Sequence, residues 1–285
     1  MNELEMPTSK YAPLRIQGRD CTIHFHDMGA GPAVFMLHGS GPGASGWGNF
    51  HRNVDAFVRA GYRVILPDSL GWGGSDPIVI REGWRSDINV ETANSLLDFL
   101  GIQKTHVIGN SMGGGTTLAW ALAHPERIDK VVLMGSGGVG ASIFQPTPLE
   151  GIKQVGLVYR NPSLENLRKM MELFVYDASK LSAEFIQQRF DSMLQNRAHL
   201  ANFVESLSAP NQGFYPDMGQ RLGEIQAPAL ITWGRDDRFV PLDSALRLLW
   251  GMRDADLYFF SQCGHWAQWE HAEKFNRLCL DFFQS

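Results

Sequence analysis

One serine in this 285-residue chain stands in a pattern that can make it a nucleophile. Ser111 is the centre of Gly109-Asn110-Ser111-Met112-Gly113, which fits G-x-S-x-G and lies between a predicted strand and a predicted helix. A sharp turn from strand to helix exposes the serine hydroxyl, and small flanking residues relieve the crowding around it. In a glycine-rich chain this motif also arises by chance, so the interpretation depends on further residues.

Two later loops contain the residue types that a serine nucleophile requires. A neutral hydroxyl needs a histidine to remove its proton and a buried carboxylate to hold the imidazole in the right tautomer. Asp236 and Asp237 directly follow one predicted strand, and His265 follows the next. Because parallel strands present their carboxyl ends at one edge of a sheet, we expect Ser111, His265 and one of the two acids to converge there.

A metal site is an alternative role for His265, since Cys263 stands two residues before it. A Cys-x-His pair without further ligands is a weaker signal than a serine, an acid and a histidine in this order. We therefore predict neither a metal nor another cofactor, and we assign Cys263 to the wall of the pocket.

A glycine-rich loop at residues 38–44, HGSGPGA, follows an early predicted strand. It also fits the dinucleotide pattern G-x-G-x-x-G/A, with Asp68 at the end of the next strand. Against that alternative, Pro42 lacks an amide donor, and the next predicted helix begins too late, at residue 50, to direct its N-terminus at the loop. The preferred role is an oxyanion hole made by the backbone N–H groups of Ser40 and Met112. At Gly41, the absence of a side chain lets a ligand approach the backbone N–H closely.

Short apolar strands alternate with helices over most of the chain, which is typical of the α/β class. The predicted strands are 21–26, 33–37, 62–66, 105–109, 131–134, 229–233 and 256–260. The predicted helices between and after them are 50–59, 90–100, 112–124, 242–250 and 270–283. This alternation predicts a mostly parallel sheet covered by helices on both faces.

The alternation stops between about residues 140 and 223, where the pattern is helical over 163–174, 182–194 and 197–206. We interpret 140–223 as a helical lid inserted into one domain. The core then consists of residues 1–139 and 224–285, and the last two strands complete the same sheet.

Composition excludes several classes of function. Lys and Arg total 25 against 30 Asp and Glu, a net charge of −5, so no global positive field attracts nucleic acid or anionic lipid. The chain has 3 cysteines without C-x-x-C spacing, and no apolar run approaches the roughly 18 residues that span a bilayer. A cytoplasmic protein that binds neither nucleic acid nor membrane is expected.

Four sequence blocks together resemble the meta-cleavage product hydrolases, the carbon–carbon bond hydrolases of bacterial aromatic degradation within the α/β-hydrolase superfamily. The blocks are LHGSGPGA at 37–44, GNSMGG at 109–114, GRDDRFVP at 234–241 and CGHWAQ at 263–268. The superfamily pattern G-x-x-D-x-x-x-P matches Gly234, Asp237 and Pro241, so the resemblance selects Asp237 as the triad acid and leaves Asp236 a local structural role. It implies the α/β-hydrolase fold and the triad Ser111, Asp237 and His265.

The family resemblance also implies a substrate, a 2-hydroxy-6-oxo-hexa-2,4-dienoate with a variable group on C6. It places Arg189 at the dienoate end, although spacing alone favours a surface ion pair with Glu184 or Asp191. Further substrate-binding residues are expected to be the backbone of Gly41 and the side chains of Asn49, Asn110, Phe174, Phe239 and Trp266. For the three aromatic residues, ordinary core packing is the alternative. The C6 group is expected to meet the insertion, which includes Phe144, Ile152, Val155, Phe214 and Tyr215.

Cleavage of the C5–C6 bond would give 2-hydroxypenta-2,4-dienoate and a carboxylic acid. Related hydrolases form dimers or larger assemblies, so a homo-oligomer is expected. An ordinary carboxylesterase or lipase with the same triad is the alternative enzyme. A catalytically silent receptor or adhesion module is the alternative from another class, which the complete triad disfavours.

Overall fold

The computed structural model describes residues 6–208 and 213–285. Within these ranges the strands are β1 (Lys10–Ile16), β2 (Arg19–Met28), β3 (Ala33–Leu37), β4 (Arg63–Pro67), β5 (Thr105–Asn110), β6 (Ile128–Met134), β7 (Ala229–Gly234) and β8 (Ala255–Phe260). They form one sheet in the order β1-β2-β4-β3-β5-β6-β7-β8. The pairs β1/β2 and β2/β4 are antiparallel, and all later pairs are parallel. The predicted α/β-hydrolase architecture is thereby confirmed, and β7 and β8 do complete the same sheet.

Helices cover both faces of this sheet. Their bounds are α1 (Gly46–Arg59), α2 (Arg85–Phe99), α3 (Met112–Ala123), α4 (Glu150–Arg160), α5 (Leu164–Phe174), α6 (Ala183–Gln195), α7 (Arg197–Ser208), α8 (Leu242–Gly251), α9 (Ala267–Glu270) and α10 (Ala272–Gln284). Side chains of the central strands alternate between the two faces, as the period of two requires. On β3, Val34 and Met36 pack with α1 and α10, whereas Phe35 and Leu37 pack with α2, α3 and α8.

The first strand was missed by the sequence pattern. In β1, Pro13 interrupts the run and the buried residues are mainly Ala12 and Ile16, so the apolar alternation is weak. Proline is tolerated there because β1 is an edge strand with one pairing partner. Its antiparallel pairing with β2 extends the sheet beyond the strands that were predicted.

The predicted start of α1 was wrong by four residues, since the helix begins at Gly46 rather than at residue 50. Ser45 caps it by accepting a hydrogen bond of 3.0 Å from Gly48 N. The helix therefore starts close enough to the loop of residues 38–44 that a late start cannot be used as an argument against a dinucleotide site. The N-terminus of this helix is instead bonded to the buried carboxylate of Asp68, which accepts a hydrogen bond from Gly46 N at 2.7 Å. An acid committed to the protein in this way is not available to a ribose.

The helices α4–α7 lie in the chain between β6 and β7 and share one apolar cluster with loops from the sheet edge. Helix α4 was not predicted, because polar and glycine positions interrupt its apolar face. The cluster includes Phe174 of α5 together with Phe239 and Trp266 from the loops after β7 and β8. No helix among the described residues combines the length and apolar character that crossing a membrane requires.

Candidate active site

Ser111 occupies a strained turn between β5 and α3. Its backbone has φ 55° and ψ −111°, a conformation that costs a non-glycine residue on the order of 1–3 kcal/mol. The flanking glycines make the turn possible, because a Cβ at Gly109 would collide with the Gly113 carbonyl and one at Gly113 with the Leu37 carbonyl. The strain and the helix N-terminus behind the serine are features of a nucleophile elbow.

His265 and Asp237 form a buried pair at the same sheet edge. The distance from His265 Nδ1 to Asp237 Oδ2 is 2.7 Å, and the side chains are 1% and 0% exposed. Asp237 Oδ1 accepts from the backbone N–H groups of Phe239 at 2.7 Å and Val240 at 3.0 Å. Because the carboxylate only accepts, Nδ1 carries the proton and Nε2 is left to act as a base.

Asp236 has a different environment. It accepts from the backbone N–H of Cys263 at 3.3 Å and pairs with Arg235 at 3.3 Å. These contacts tie the loops after β7 and β8 together without reaching the imidazole of His265.

Two further residues support His265 and were not recognised in the sequence. Gly135 follows β6 with φ 52°, and a Cβ there would lie 2.8 Å from the His265 ring, so only glycine leaves room for the imidazole. Glu270 accepts from Gly264 N and Tyr176 N, both at 2.7 Å, and joins the histidine loop to the segment after α5. A glycine directly after a parallel strand was the available signal for Gly135, whereas the contacts of Glu270 depend on tertiary structure.

The loop of residues 38–44 lies beside the nucleophile. A Cβ at Gly39 would be 3.3 Å from Ser111 Cβ and 3.1 Å from Asn110 Oδ1. Ser69 N donates to His38 Nε2 at 2.9 Å, so the proton on Nδ1 is donated to the Gly39 carbonyl at 2.7 Å. Within the described chain the N–H groups of Ser40 and Gly41 have no protein acceptor. Met112 is the first residue of α3, so its N–H also has no partner within the helix.

Arg189 projects from α6 into this region and is 7% exposed. Its Nε donates to the Pro42 carbonyl at 3.0 Å, and Nη2 lies 2.8 Å from where a Cβ of Gly41 would be. Within the described residues no carboxylate lies within ion-pair distance, so neither Glu184 nor Asp191 neutralises it. Burial lowers the pKa of Arg189 to about 10, which leaves it charged at neutral pH. A buried cation without a counter-ion is costly, and an anionic ligand would remove that cost.

Aromatic rings cover the space between Arg189 and His265. The Phe174 ring stacks on Phe239 at 4.1 Å and on Trp266 at 4.4 Å, and Phe239 lies 5.0 Å from the His265 ring. The Arg189 guanidinium is 5.3 Å from the Trp266 ring centre. These predicted substrate-binding residues are thus brought together with the arginine and the histidine.

Asn110 and Asn49, both predicted to bind substrate, have different surroundings. Asn110 is buried beside Gly39 and donates to the Met134 carbonyl at 3.3 Å. Asn49 is also buried, and its Oδ1 has no hydrogen-bond partner among the described residues. Its backbone carbonyl accepts from Gln268 at 3.2 Å, and a substrate contact for Asn49 stays a prediction.

Cys263 is fully buried, and burial raises the pKa of its thiol far above the ordinary value. A thiol in this state is a poor ligand and a poor nucleophile. Among the described residues no cluster of three or more His, Cys, Asp or Glu is arranged to hold a metal ion.

A cavity of about 330 Å³ adjoins the aromatic rings on the side of Phe239. Its wall comes from the loop after β6, the start of the insertion and the segment before β7, and includes Gly137, Ile152, Tyr215, Asp217 and Phe239. The Tyr215 ring lies against Gly137 and Gly115, where a Cβ would collide with it. Both glycines donate their N–H to the Ser111 carbonyl, at 3.3 Å and 3.0 Å, so this cavity begins next to the nucleophile.

A strained serine, a buried histidine–aspartate pair and free backbone donors at the edge of a parallel sheet define the class of this protein. A family model described as alpha/beta hydrolase fold matches residues 32–272, and the chain belongs to that family. Within it, the chain is a meta-cleavage product hydrolase, a carbon–carbon bond hydrolase, as the sequence blocks predicted.

The assignment to the meta-cleavage product hydrolases rests on similar proteins and solved structures. A protein of Burkholderia vietnamiensis named 2-hydroxy-6-oxononadienedioate/2-hydroxy-6-oxononatrienedioate hydrolase is 57% identical over 281 residues, which are 98% of this chain and 97% of that protein. A meta-cleavage product hydrolase from Pseudomonas fluorescens superposes with a TM-score of 0.84 at 33% identity, covering 96% of this chain and 97% of that one. A 2-hydroxy-6-oxo-6-phenylhexa-2,4-dienoate hydrolase from Rhodococcus gives 0.83 at 30% identity, covering 98% and 100%.

Proposed function

We propose that the chain hydrolyses 2-hydroxy-6-oxononadienedioate, the ring-fission product in the names of its 57% identical relatives. Breaking the C5–C6 bond gives 2-hydroxypenta-2,4-dienoate and a four-carbon dicarboxylic acid. The observation that carries the proposal is the buried Arg189 guanidinium beside Gly41, because a plain ester offers no anion for it. The carboxylate on C1 of the dienoate supplies that anion, and Gly41 N–H and Asn110 add polar contacts.

The reaction begins with a shift of the bound dienol to its 2-keto form, in which the 2-hydroxyl loses its proton and C5 gains one. In that tautomer C5 is saturated, and electrons released at C5 are conjugated through the C3=C4 bond to the C2 carbonyl. Without the shift, the C5–C6 bond has no stabilised carbon leaving group. A cation at the C1 carboxylate holds this end of the substrate while electron density moves toward C2.

Ser111 then attacks the C6 carbonyl while His265 Nε2 takes the hydroxyl proton. The oxyanion that forms on C6 accepts hydrogen bonds from the N–H groups of Ser40 and Met112. Collapse of this intermediate breaks C5–C6, leaves the acyl group on Ser111 and returns a proton to the dienolate. Water, deprotonated by His265, hydrolyses the acyl-enzyme and frees Ser111.

Residues 140–223 act as a lid in this proposal, over a core formed by 1–139 and 224–285. Arg189 and Phe174 come from the insertion, whereas the triad comes from the sheet edge. Arg189 and Phe174 both lie against Gly41, and Arg189 also lies over the Trp266 ring. These contacts shield the dienoate end of the site from water. We further infer that the enzyme is cytoplasmic and forms a homodimer or a larger assembly, both of which stay predictions.

Replacing Arg189 by glutamine is expected to raise KM for the dienoate by roughly 100-fold, because a charge-assisted hydrogen-bonded pair in a buried site is worth about 2–5 kcal/mol. Turnover of p-nitrophenyl acetate, which has no carboxylate, should change less than about threefold. A control lies on the same helix, where the exposed Gln187 side chain donates to Asp191, so Gln187→Ala should leave the kinetics of both substrates unchanged. Unchanged dienoate kinetics in Arg189→Gln would remove the carboxylate role.

The C6 side of the substrate fits the cavity beside Phe239. Tyr215 OH, which lines it, has no hydrogen-bond partner among the described residues, and burial raises the pKa of Tyr215 to about 12, so it stays a donor. Asp217 also lines the cavity and is exposed. A terminal carboxylate in this cavity therefore meets the like charge of Asp217, partly offset by the Arg247 guanidinium, which lies beside the same wall and donates to the Val139 carbonyl.

Asp217→Asn is expected to raise kcat/KM for the dienedioate by about two- to fourfold, since removing an exposed like charge is worth less than about 1 kcal/mol. A substrate with an uncharged alkyl group on C6 should be cleaved at the same rate by both proteins. The gain in kcat/KM of Asp217→Asn for the dienedioate should become smaller in about 0.5 M salt, which screens exposed charges. Asp256→Asn, an exposed acid on β8, is the matched control. An equal gain for the alkyl substrate would show that charge at C9 is not the cause.

A further inference from the structure

The Ser40 carbonyl, in the loop expected to hold the oxyanion, is bonded by a side chain of the insertion. Tyr159 of α4 is buried and its hydroxyl donates to Ser40 O. The same hydroxyl accepts from Trp72 Nε1 at 3.2 Å. One phenol oxygen thus connects the insertion, the loop of residues 38–44 and the glycine-rich loop after β4.

Packing holds both the Tyr159 ring and its hydrogen-bond partner Trp72 in place. The Tyr159 ring stacks on Phe203 of α7 at 4.0 Å with 21° between the planes. The Arg85 guanidinium lies over the Trp72 ring at 4.7 Å and donates to the Leu70 carbonyl at 3.1 Å. Burial raises the pKa of Tyr159, so the hydroxyl keeps its proton and remains a donor. The hydrogen bond to Ser40 O therefore comes from a fixed position.

Fixing Ser40 O also fixes the N–H of the same peptide unit, which belongs to Gly41. The unit is trans, so its C=O and N–H point in opposite directions, and the Gly41 N–H is turned away from Tyr159. The Gly41 carbonyl is engaged separately, accepting from Ala44 N at 3.0 Å. Arg189 Nη2 is 2.8 Å from the Cβ position of Gly41, so the guanidinium and this free N–H are neighbours.

We propose that Tyr159 is a positioning residue for substrate recognition: by holding Ser40 O it orients the Gly41 N–H beside Arg189, and the two donors together bind the C1 carboxylate of the dienoate. The inference deepens the proposed function and rests on it. Tyr159 itself touches no reacting atom. Its effect is confined to the part of the substrate that carries the carboxylate.

The test replaces Tyr159 by phenylalanine, which keeps the stack on Phe203 and removes the hydrogen bond. We expect kcat/KM for the dienoate to fall about tenfold, mainly through KM, the size of one hydrogen bond to a charged group. In a Ser111→Ala background, the Kd of the dienoate, read from its visible absorbance, should rise by the same factor. Hydrolysis of p-nitrophenyl acetate, which has no carboxylate, should stay within about twofold.

Matched variants separate this role from a loss of packing. Tyr176→Phe removes an exposed phenol of the same type and should leave both substrates unchanged. Trp72→Phe removes the donor to Tyr159 but not the bond to Ser40, and should have a smaller effect than Tyr159→Phe. Equal losses on both substrates, or no loss on either, would overturn the inference. Failure of the unmutated enzyme to cleave the dienoate would instead refute the proposed function itself.

Discussion

Ser111→Ala is expected to lose carbon–carbon bond cleavage by roughly 10⁴- to 10⁶-fold, the range for removing the nucleophile of a serine triad. The variant should still bind the dienoate, because Arg189, the loop of residues 38–44 and the aromatic rings are untouched. The fold should persist as well, since the strained turn is set by the surrounding glycines rather than by the hydroxyl.

Rapid mixing of Ser111→Ala with the coloured dienoate tests both parts of this expectation. The absorbance of the bound ligand should appear and then persist, whereas the unmutated enzyme should bleach it. Ser179→Ala, which removes an exposed hydroxyl within the insertion, is the control and should bleach at the normal rate. Undiminished turnover by Ser111→Ala would eliminate the nucleophile assignment.

Asp237→Asn is expected to lower kcat by about 10³- to 10⁴-fold with little change in binding. The carboxylate oxygen Oδ1 accepts two backbone N–H groups, so the oxygen of asparagine is held at that position. Its amide nitrogen then faces His265 Nδ1 as a donor. The imidazole must present a lone pair there and carry its proton on Nε2, where it cannot accept the proton of Ser111.

Asp236→Asn is the matched comparison, since the two acids are adjacent and only one meets the histidine. Its carboxylate bonds Cys263 N and Arg235, so we expect less than a threefold change in kcat. The two variants should be compared by steady-state kinetics at one pH, with melting temperatures as a check on folding. A large loss in Asp236→Asn with an active Asp237→Asn would reverse the assignment.

The parts of the site that follow from local pattern could be predicted from the sequence. G-x-S-x-G with a strand before it and a helix after it predicts the turn at Ser111, because only glycine avoids the carbonyls at positions 109 and 113. Strands that are buried on both faces appear as apolar runs, which is why β3 and β5 were predicted well. Most side chains of β1 are exposed, and polar and glycine positions interrupt the apolar face of α4, so the sequence pattern predicted neither element.

The parts that depend on distant contacts could not be predicted in this way. The spacing around Arg189 favoured an exposed ion pair, yet the residue is buried without a carboxylate partner among the described residues. Its burial comes from the loop of residues 38–44, which is nearly 150 positions earlier in the chain. Tyr159 likewise gains its role from Ser40 and Trp72, and nothing in its local sequence indicates either contact.

The proposed function is tested most directly by the reaction of the unmutated enzyme with 2-hydroxy-6-oxononadienedioate. Loss of the dienoate absorbance is followed while both products are quantified by chromatography, and p-nitrophenyl acetate is measured in parallel. We expect one 2-hydroxypenta-2,4-dienoate and one four-carbon dicarboxylic acid per substrate consumed, with kcat/KM at least about 100-fold above that for the ester. Rapid ester hydrolysis with no cleavage of the dienoate would contradict the proposed function and indicate a carboxylesterase.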